Sequence, residues 1–193
     1  MNQLIIFIKN PQAGKVKTRL AASIGNEAAL SVYHKLCERT RQTVLGVEAQ
    51  RQLYYSDYID HGDDWKEELF IKNQQEGADL GTRMSRAFQD SLRHGNKAII
   101  VGSDCPQLTP DLLQRAFHAL EEHPYVLGPA QDGGYYLLGM QKHCPELFQN
   151  IEWSTNTVAK MTLQRMQVQE KSCFLLPLLS DIDTVTDWEK WGW

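Results

Sequence analysis

Three sets of side chains in this 193-residue chain have the types and spacing to do chemistry. The first is Asp104, at the end of Ala98-Ile99-Ile100-Val101-Gly102-Ser103 and followed by Cys105-Pro106. Four apolar residues, three of them β-branched, predict a buried strand that delivers one carboxylate at its carboxyl end. Ligands of open α/β sheets bind beyond that end, so Asp104 is placed to meet a metal ion or a substrate hydroxyl. Capping of the turn is the structural use of the same residue. The second set is Asp181 and Asp183, which an extended segment points to one side while Ile182 turns into the core. Such a pair suits a hard divalent cation, although Thr184 and Asp187 form a capping-box-like helix start that also gives one of these acids a structural use. The third set is cationic: residues 1–26 hold Lys9, Lys15, Lys17 and Arg19 and no acid, in a chain of net charge −4. That is the footprint of a small anionic ligand, or alternatively a solvated basic face.

Glycine-bearing loops lie beside these sets. Lys9-Asn10-Pro11-Gln12-Ala13-Gly14 follows an apolar run and leads through Lys15-Val16-Lys17-Thr18-Arg19-Leu20, the plan of a phosphate cradle. It is not a Walker A loop, because the required glycine falls on Lys9 and the Ser/Thr position on Val16; a G-x-G-x-x-G fingerprint is also absent. P-loop kinases and nicotinamide enzymes are thereby disfavoured. Gln75, Gly77 and Arg83 flank a helix start and are candidates to face a nucleobase or phosphate, though an ordinary polar loop explains the same letters. Gln131-Asp132-Gly133-Gly134 joins two strand-like runs, and its glycines allow close backbone approach to a ligand as readily as a plain β-turn. Trp153 is suited to stack on a ring or to fill the core.

The elements that must position these residues follow from periodicity. Continuous apolar runs predict strands at 3–8 and 98–101, with shorter ones at 52–56, Phe70-Ile71, either side of the 131–134 turn, and 172–176. Helices are expected from Asn26, as cap, to Val44 or Leu45, with Leu30, Tyr33, Cys37 and Val44 on the apolar side as scaffold only. Others run from Asp79 to Gly95 with Leu80, Met84, Phe88 and Leu92 on one face, and from Thr109-Pro110 to Glu122. A helix over Asn156 to Met166 capped by Ser154 or Thr155, and a short terminal helix through Trp191, complete the set. The acidic stretch 57–68 reads as a surface excursion with a helical turn at Trp65.

At this length one α/β domain spanning 1–193 is expected. Apolar residues make up 42% and charged residues 23%, which excludes extensive disorder. The negative balance argues against nucleic-acid polymers as partners. Leu4 to Ile8 is too short for a membrane span and lacks signal-peptide flanks, so a cytoplasmic location is expected. Cys37, Cys105, Cys144 and Cys173 are scattered, with no zinc spacing, and read as reduced thiols.

In order along the chain, Lys9-to-Leu20, Asp79-Leu-Gly-Thr-Arg-Met84 in the Gln75-to-Met84 segment, Gly102-Ser-Asp-Cys-Pro106, Gln131-Asp-Gly-Gly-Tyr-Tyr136, Trp153-Ser-Thr155 and Asp181-Ile-Asp-Thr184 resemble a bacterial family of small GT-A-like glycosyltransferases. Some of its members are linked to arsenosugar biosynthesis, and the family is similar to 2-phospholactate guanylyltransferase and molybdenum-cofactor guanylyltransferase. The resemblance implies a three-layer αβα sandwich with a mostly parallel sheet and a nucleotide over its carboxyl ends. It further implies Asp104, Asp181 and Asp183 as ligands of Mg²⁺ or Mn²⁺, and Lys9, Lys17 and Arg19 on phosphates. The sequence departs from the sugar nucleotidyltransferase pattern in lacking a Gly-Gly-rich start followed by Arg-Met-Gly, and from many GT-A enzymes in lacking Asp-x-Asp. The leading expectation is glycosyl transfer from a nucleotide sugar to a small acceptor. Asp104 and Asp132 would be catalytic, Gly14, Gln75, Gly77 and Arg83 would join the cations on the nucleotide, and Gly133, Gly134, Tyr135 and Trp153 would bind the acceptor. Nucleotidyl transfer from a nucleoside triphosphate and a non-catalytic nucleotide sensor or partner subunit are the alternatives.

Overall fold

The first strand, β1 (Asn2–Ile8), carries Leu4, Ile5 and Ile6 with no exposed surface. Successive strand residues point to opposite faces, so Leu4, Ile6 and Ile8 enter one core and Ile5 another, and this is why a continuous apolar run encodes a strand covered on both sides. The structure, a computed structural model, describes residues 1–169 and 171–193. It adds β2 (Gln50–Tyr55), β3 (Ile71–Gln74), β4 (Lys97–Val101), β5 (Tyr125–Pro129), β6 (Tyr135–Met140) and β7 (Cys173–Leu175). The sheet order is β3-β2-β1-β4-β6-β5-β7. Among the described residues only β6 runs against its neighbours, antiparallel to β4 and β5, and every other pairing is parallel.

Helices α1 (Thr18–Ile24), α2 (Asn26–Leu45), α3 (Leu80–His94), α4 (Pro110–Glu122), α5 (Val158–Val168) and α6 (Val185–Trp191) surround this sheet. Val44 of α2 and Leu113, Ala116, Phe117 and Leu120 of α4 pack on one face, while Met84, Ala87 and Phe88 of α3 and Met166 of α5 pack on the other. The result is a three-layer αβα sandwich with a mostly parallel sheet, as the family resemblance implies. A third cluster joins Leu20 of α1, Ala29, Val32 and Leu36 of α2 and Ile182, so the C-terminal segment closes over the first helices. No helix among the described residues is long and apolar enough to cross a membrane, and the four cysteines are unpaired.

Local chemistry sets the boundaries. Asp79 caps α3 by accepting from the Thr82 N–H, Thr109 caps α4 with Pro110 at its first turn, and Thr184 and Asp187 close a capping box on α6. Elsewhere the structure differs from expectation. Gly25, at φ 86°, is the N-cap of α2, and Asn26 is already helical. The buried stripe of that helix runs through Ala29, Val32, Tyr33 and Leu36, leaving Leu30 and Cys37 only partly covered. α5 starts at Val158, because Ser154 adopts φ 65° and the Thr155 hydroxyl donates to Glu152 O, so neither caps it. The helical turn of this excursion comes just after Trp65, where the Leu69 and Phe70 N–H groups both donate to Lys66 O at 2.9 and 3.0 Å. Trp65 is buried edge-on against Phe70, and the loop is tied down by Tyr55 Oη and Lys72 Nζ, which donate to Asp63 at 2.6 and 2.8 Å.

Candidate active site

Parallel pairing of β1 with β4, in register through Ile6 and Val101, makes both strands end at the same level. Lys9 and Asp104 therefore leave the sheet side by side at the floor of a cleft of about 620 Å³. The cleft is lined by the charged candidates Lys9, Lys17, Arg19, Asp104, Asp132, Asp181 and Asp183, together with Gln75, Gly134, Tyr135 and Trp153. Gly14, Gly77, Arg83 and Gly133 do not line it. Gly14 turns back on the loop with φ 77°, and Lys15 and Val16 donate to Gln12 O there, so this part of the loop stands outside the cleft. Arg83 Nε donates to Gly77 O at 3.1 Å and braces the loop before α3. Gly133 touches the backbone of Asn156.

Lys17 is the centre of the arrangement. It has left-handed backbone at φ 49°, a conformation that costs a non-glycine residue about 1–3 kcal/mol and concentrates at functional sites. Its side chain is 3% exposed, and Nζ lies 2.7 Å from Asp104 Oδ1, 3.4 Å from Asp183 Oδ1 and 2.5 Å from Ile182 O. Burial opposes its charge, but the Asp104 ion pair and hydrogen bond, with Asp183 and Asp181 behind them, hold the ammonium above its ordinary pKa. All three Nζ partners are internal, so Lys17 organises the carboxylates, whereas Lys9 and the exposed Arg19 are the cations open to a ligand.

The acids divide accordingly. Asp183 is held by Lys17 and approached by Arg19 at 3.8 Å. Asp181 is pushed up to about 7, by burial first and then by repulsion from Asp104 and Asp132. Ile182 between them is fully buried, as the alternation predicts. Asp132 accepts from Gly134 N–H at 2.8 Å and is exposed at the mouth. No group of three His, Cys, Asp or Glu side chains among the described residues is gathered as a ready metal site, because Lys17 stands between Asp104 and Asp183. Burial, followed by the nearby Asp181, pushes the Cys105 thiol up to about 12, which keeps it protonated.

Tyr33, which the sequence assigned to scaffold, reaches the site from α2. Its hydroxyl accepts from Lys9 N–H at 2.8 Å, lies 3.0 Å from Lys9 O and 3.3 Å from Ser103 Oγ, and so pins the β1 and β4 ends together. Its position on the buried stripe hid it, since a tyrosine there reads as core. Gln75 donates to both Ile8 O and Tyr54 O at 3.1 Å, leaving Oε1 as its free polar atom. Ser154, which the sequence offers as a helix cap, is instead the second left-handed non-glycine residue in the cleft.

Removal of the buried ammonium has a defined outcome. Breaking a fully buried ion pair costs about 3–5 kcal/mol. Asp104 and Asp183 are 46% and 42% exposed, and water takes over part of the loss, so Lys17→Met is expected to cost ~1–3 kcal/mol in urea unfolding. Because the folded state holds this proton more tightly than the unfolded chain, the stabilisation is present at neutral pH and fades as pH rises above about 10.5. Identical unfolding midpoints for the two proteins at pH 7 would refute this role.

An αβα sandwich with its polar cleft over the strand ends defines the class, a nucleotide-diphospho-sugar-transferase-like fold. The chain belongs to the family described as "Uncharacterized protein conserved in bacteria (DUF2064)", whose model matches residues 39–155. A provisionally named nucleotide-diphospho-sugar transferase from Desulfovibrio desulfuricans G20 is 32% identical, with 95% of this chain and 83% of that one covered and a TM-score of 0.87. The inositol-1-phosphate CTP transferase of T. maritima shares the fold at 15% identity, with coverage of 97% and 91% and a TM-score of 0.62. So does Rv0371C of Mycobacterium tuberculosis H37Rv, solved as a manganese complex, at 13% identity, 98% and 96% coverage and a TM-score of 0.54. No curated protein matches the sequence.

Proposed function

We propose that the chain acts as one transferase domain that uses a nucleotide-activated donor, a nucleotide sugar in the leading reading, and passes its glycosyl group to a small acceptor. The observation that carries this is the convergence of Lys9, Lys17 and Arg19 with Asp104, Asp132, Asp181 and Asp183 in one cleft at the strand ends. Lys9 and Arg19 would take the diphosphate, and Gln75 Oε1 would meet a donor on the base edge. Support also comes from the similarity to the Desulfovibrio protein named for nucleotide-diphospho-sugar transfer.

The donor chemistry fits Mg²⁺ or Mn²⁺. Burial first, and then the repulsion of Asp104 and Asp132, raise the Asp181 carboxyl; four acids face three cations in the cleft, a surplus that a divalent cation would relieve, and all four acids offer hard oxygen ligands. Asp104 and Asp181 are the acids to hold it, with Asp183 at the rim on Lys17, and when bound it would offset charge on the leaving diphosphate. The Lys17 ammonium adds fixed positive potential beside that charge. As the acceptor oxygen bonds to the sugar carbon, the bond to the diphosphate breaks and the nucleoside diphosphate leaves with the electron pair. Asp132, at the mouth, takes the hydroxyl proton.

The T. maritima CTP transferase favours a second reading on the same fold, nucleotidyl transfer with release of pyrophosphate. Calorimetry of the protein with nucleoside diphosphates, triphosphates and nucleotide sugars, with and without Mn²⁺, separates the two. Metal-dependent preference for a nucleotide sugar and its diphosphate is expected. Preference for a triphosphate selects nucleotidyl transfer, and absence of any nucleotide binding overturns both.

A further inference from the structure

The cleft is chemically divided. Its charged residues come from the loop after β1, α1, the end of β4, the β5–β6 turn and the C-terminal segment, whereas its α3/α5 side carries the apolar surface of Leu80, Met84, Tyr135, Trp153 and Val158, with the hydroxyls of Ser154 and Thr155 beside Trp153. Leu80, the first residue of α3, is 42% exposed while Met84 and Phe88, further along the same face, are buried. Tyr135 Oη donates to Met84 Sδ at 3.7 Å, so its polar atom is spent inside the wall. The wall is preformed. Trp153 packs so closely on α3 that a Cβ on Gly81 would fall 2.5 Å from its ring, and the loop carrying Trp153 is clamped to the β5–β6 turn where Gly133 meets Asn156. An apolar, rigid surface of this kind repays contact with a flat uncharged face and penalises a charged group that it desolvates without pairing.

We propose that the acceptor is an uncharged molecule carrying a flat apolar ring and a hydroxyl, and not a phosphorylated compound. This rests on the transferase reading, in which the acceptor lies on the Asp132, Tyr135 and Trp153 side of the site, and it favours glycosyl over nucleotidyl transfer to a phosphate. The ring sits against Trp153, Tyr135 and Leu80, and Met84 beneath them adapts to its outline.

The test is ligand-observed NMR on the full chain with benzyl alcohol, myo-inositol and glycerol 3-phosphate as probes, alongside calorimetry with nucleoside diphosphates. Benzyl alcohol is expected to bind at least tenfold more tightly than the other two. Leu80→Asp, which places an acid at the favourable N-terminal turn of a fifteen-residue helix and so keeps the fold, should weaken it at least tenfold with nucleotide affinity unchanged. Trp153→Ala should do the same. Equal or tighter binding of glycerol 3-phosphate overturns the proposal. So does an equal loss of nucleotide affinity in Leu80→Asp, because the wall would then hold the base. Binding of benzyl alcohol at this wall with no nucleotide bound by the wild type upholds the apolar subsite and overturns the transferase reading instead.

Discussion

Asp104→Asn is expected to lower turnover by roughly 10²–10³-fold or more, the scale seen when one preorganised electrostatic group is removed from a developing charge. The substitution keeps shape, and the backbone carbonyl of Asp104, which accepts from Ile182 N–H at 3.0 Å, is untouched, so the C-terminal segment stays docked. What changes is charge. Lys17 loses its partner at 2.7 Å and swings its balance toward Asp183, while Asp181 loses the largest of its three repelling neighbours and titrates lower than about 7, burial still holding it up. Metal-dependent nucleotide binding is expected to disappear with turnover, and a plot of log rate against pH to lose any inflection near neutrality that belongs to Asp181. Wild-type turnover and metal dependence in this variant would remove Asp104 from the site.

Gly133→Ala is expected to destabilise the protein by at least ~3 kcal/mol, or about 6–12 °C in melting temperature for a chain of this size. Two penalties coincide at this position. The residue has φ 89°, which strains any side chain, and an added Cβ would lie 2.1 Å from Asn156 O, a backbone atom that cannot rotate away. The Gly133 carbonyl also accepts from Ala159 N–H at 2.9 Å, so relief by movement would unfasten the start of α5 and the Trp153 loop. Gly102→Ala is the control. It has no atom within 4 Å of the new Cβ and no positive φ, so its melting temperature should stay close to that of the wild type. A Gly133→Ala protein as stable as Gly102→Ala would show that the turn is not clamped as described.

The turn at 131–134 also shows where reading the chain stopped. Its glycines are legible as a place for close approach; at Gly133 what approaches is the Asn156 backbone, which only folding brings there, while Gly134 lines the cleft. The Lys17 position is similar. Its charge and its place after a strand and a glycine loop were legible, and they pointed to a phosphate. Its burial against Ile182 O, 165 residues away, could not be read from local pattern. Tyr33 was hidden for the converse reason, since its spacing on α2 is that of a core residue and its hydroxyl finds polar partners only at the strand ends.

Local physical chemistry, which acts within a few residues, is written directly in the chain. Runs of Ile, Leu and Val specify the doubly covered strands, Asp79, Thr109 and the Thr184/Asp187 pair specify helix starts, and the alternation at 181–183 specifies two acids on one side of a buried isoleucine. Tertiary structure decided the rest: which cations face inward or outward, which acid is neutralised and which is left repelled, and that one wall of the cleft is apolar. Those properties depend on distances between segments far apart in sequence, and charge and desolvation energies take their values only when those distances are set.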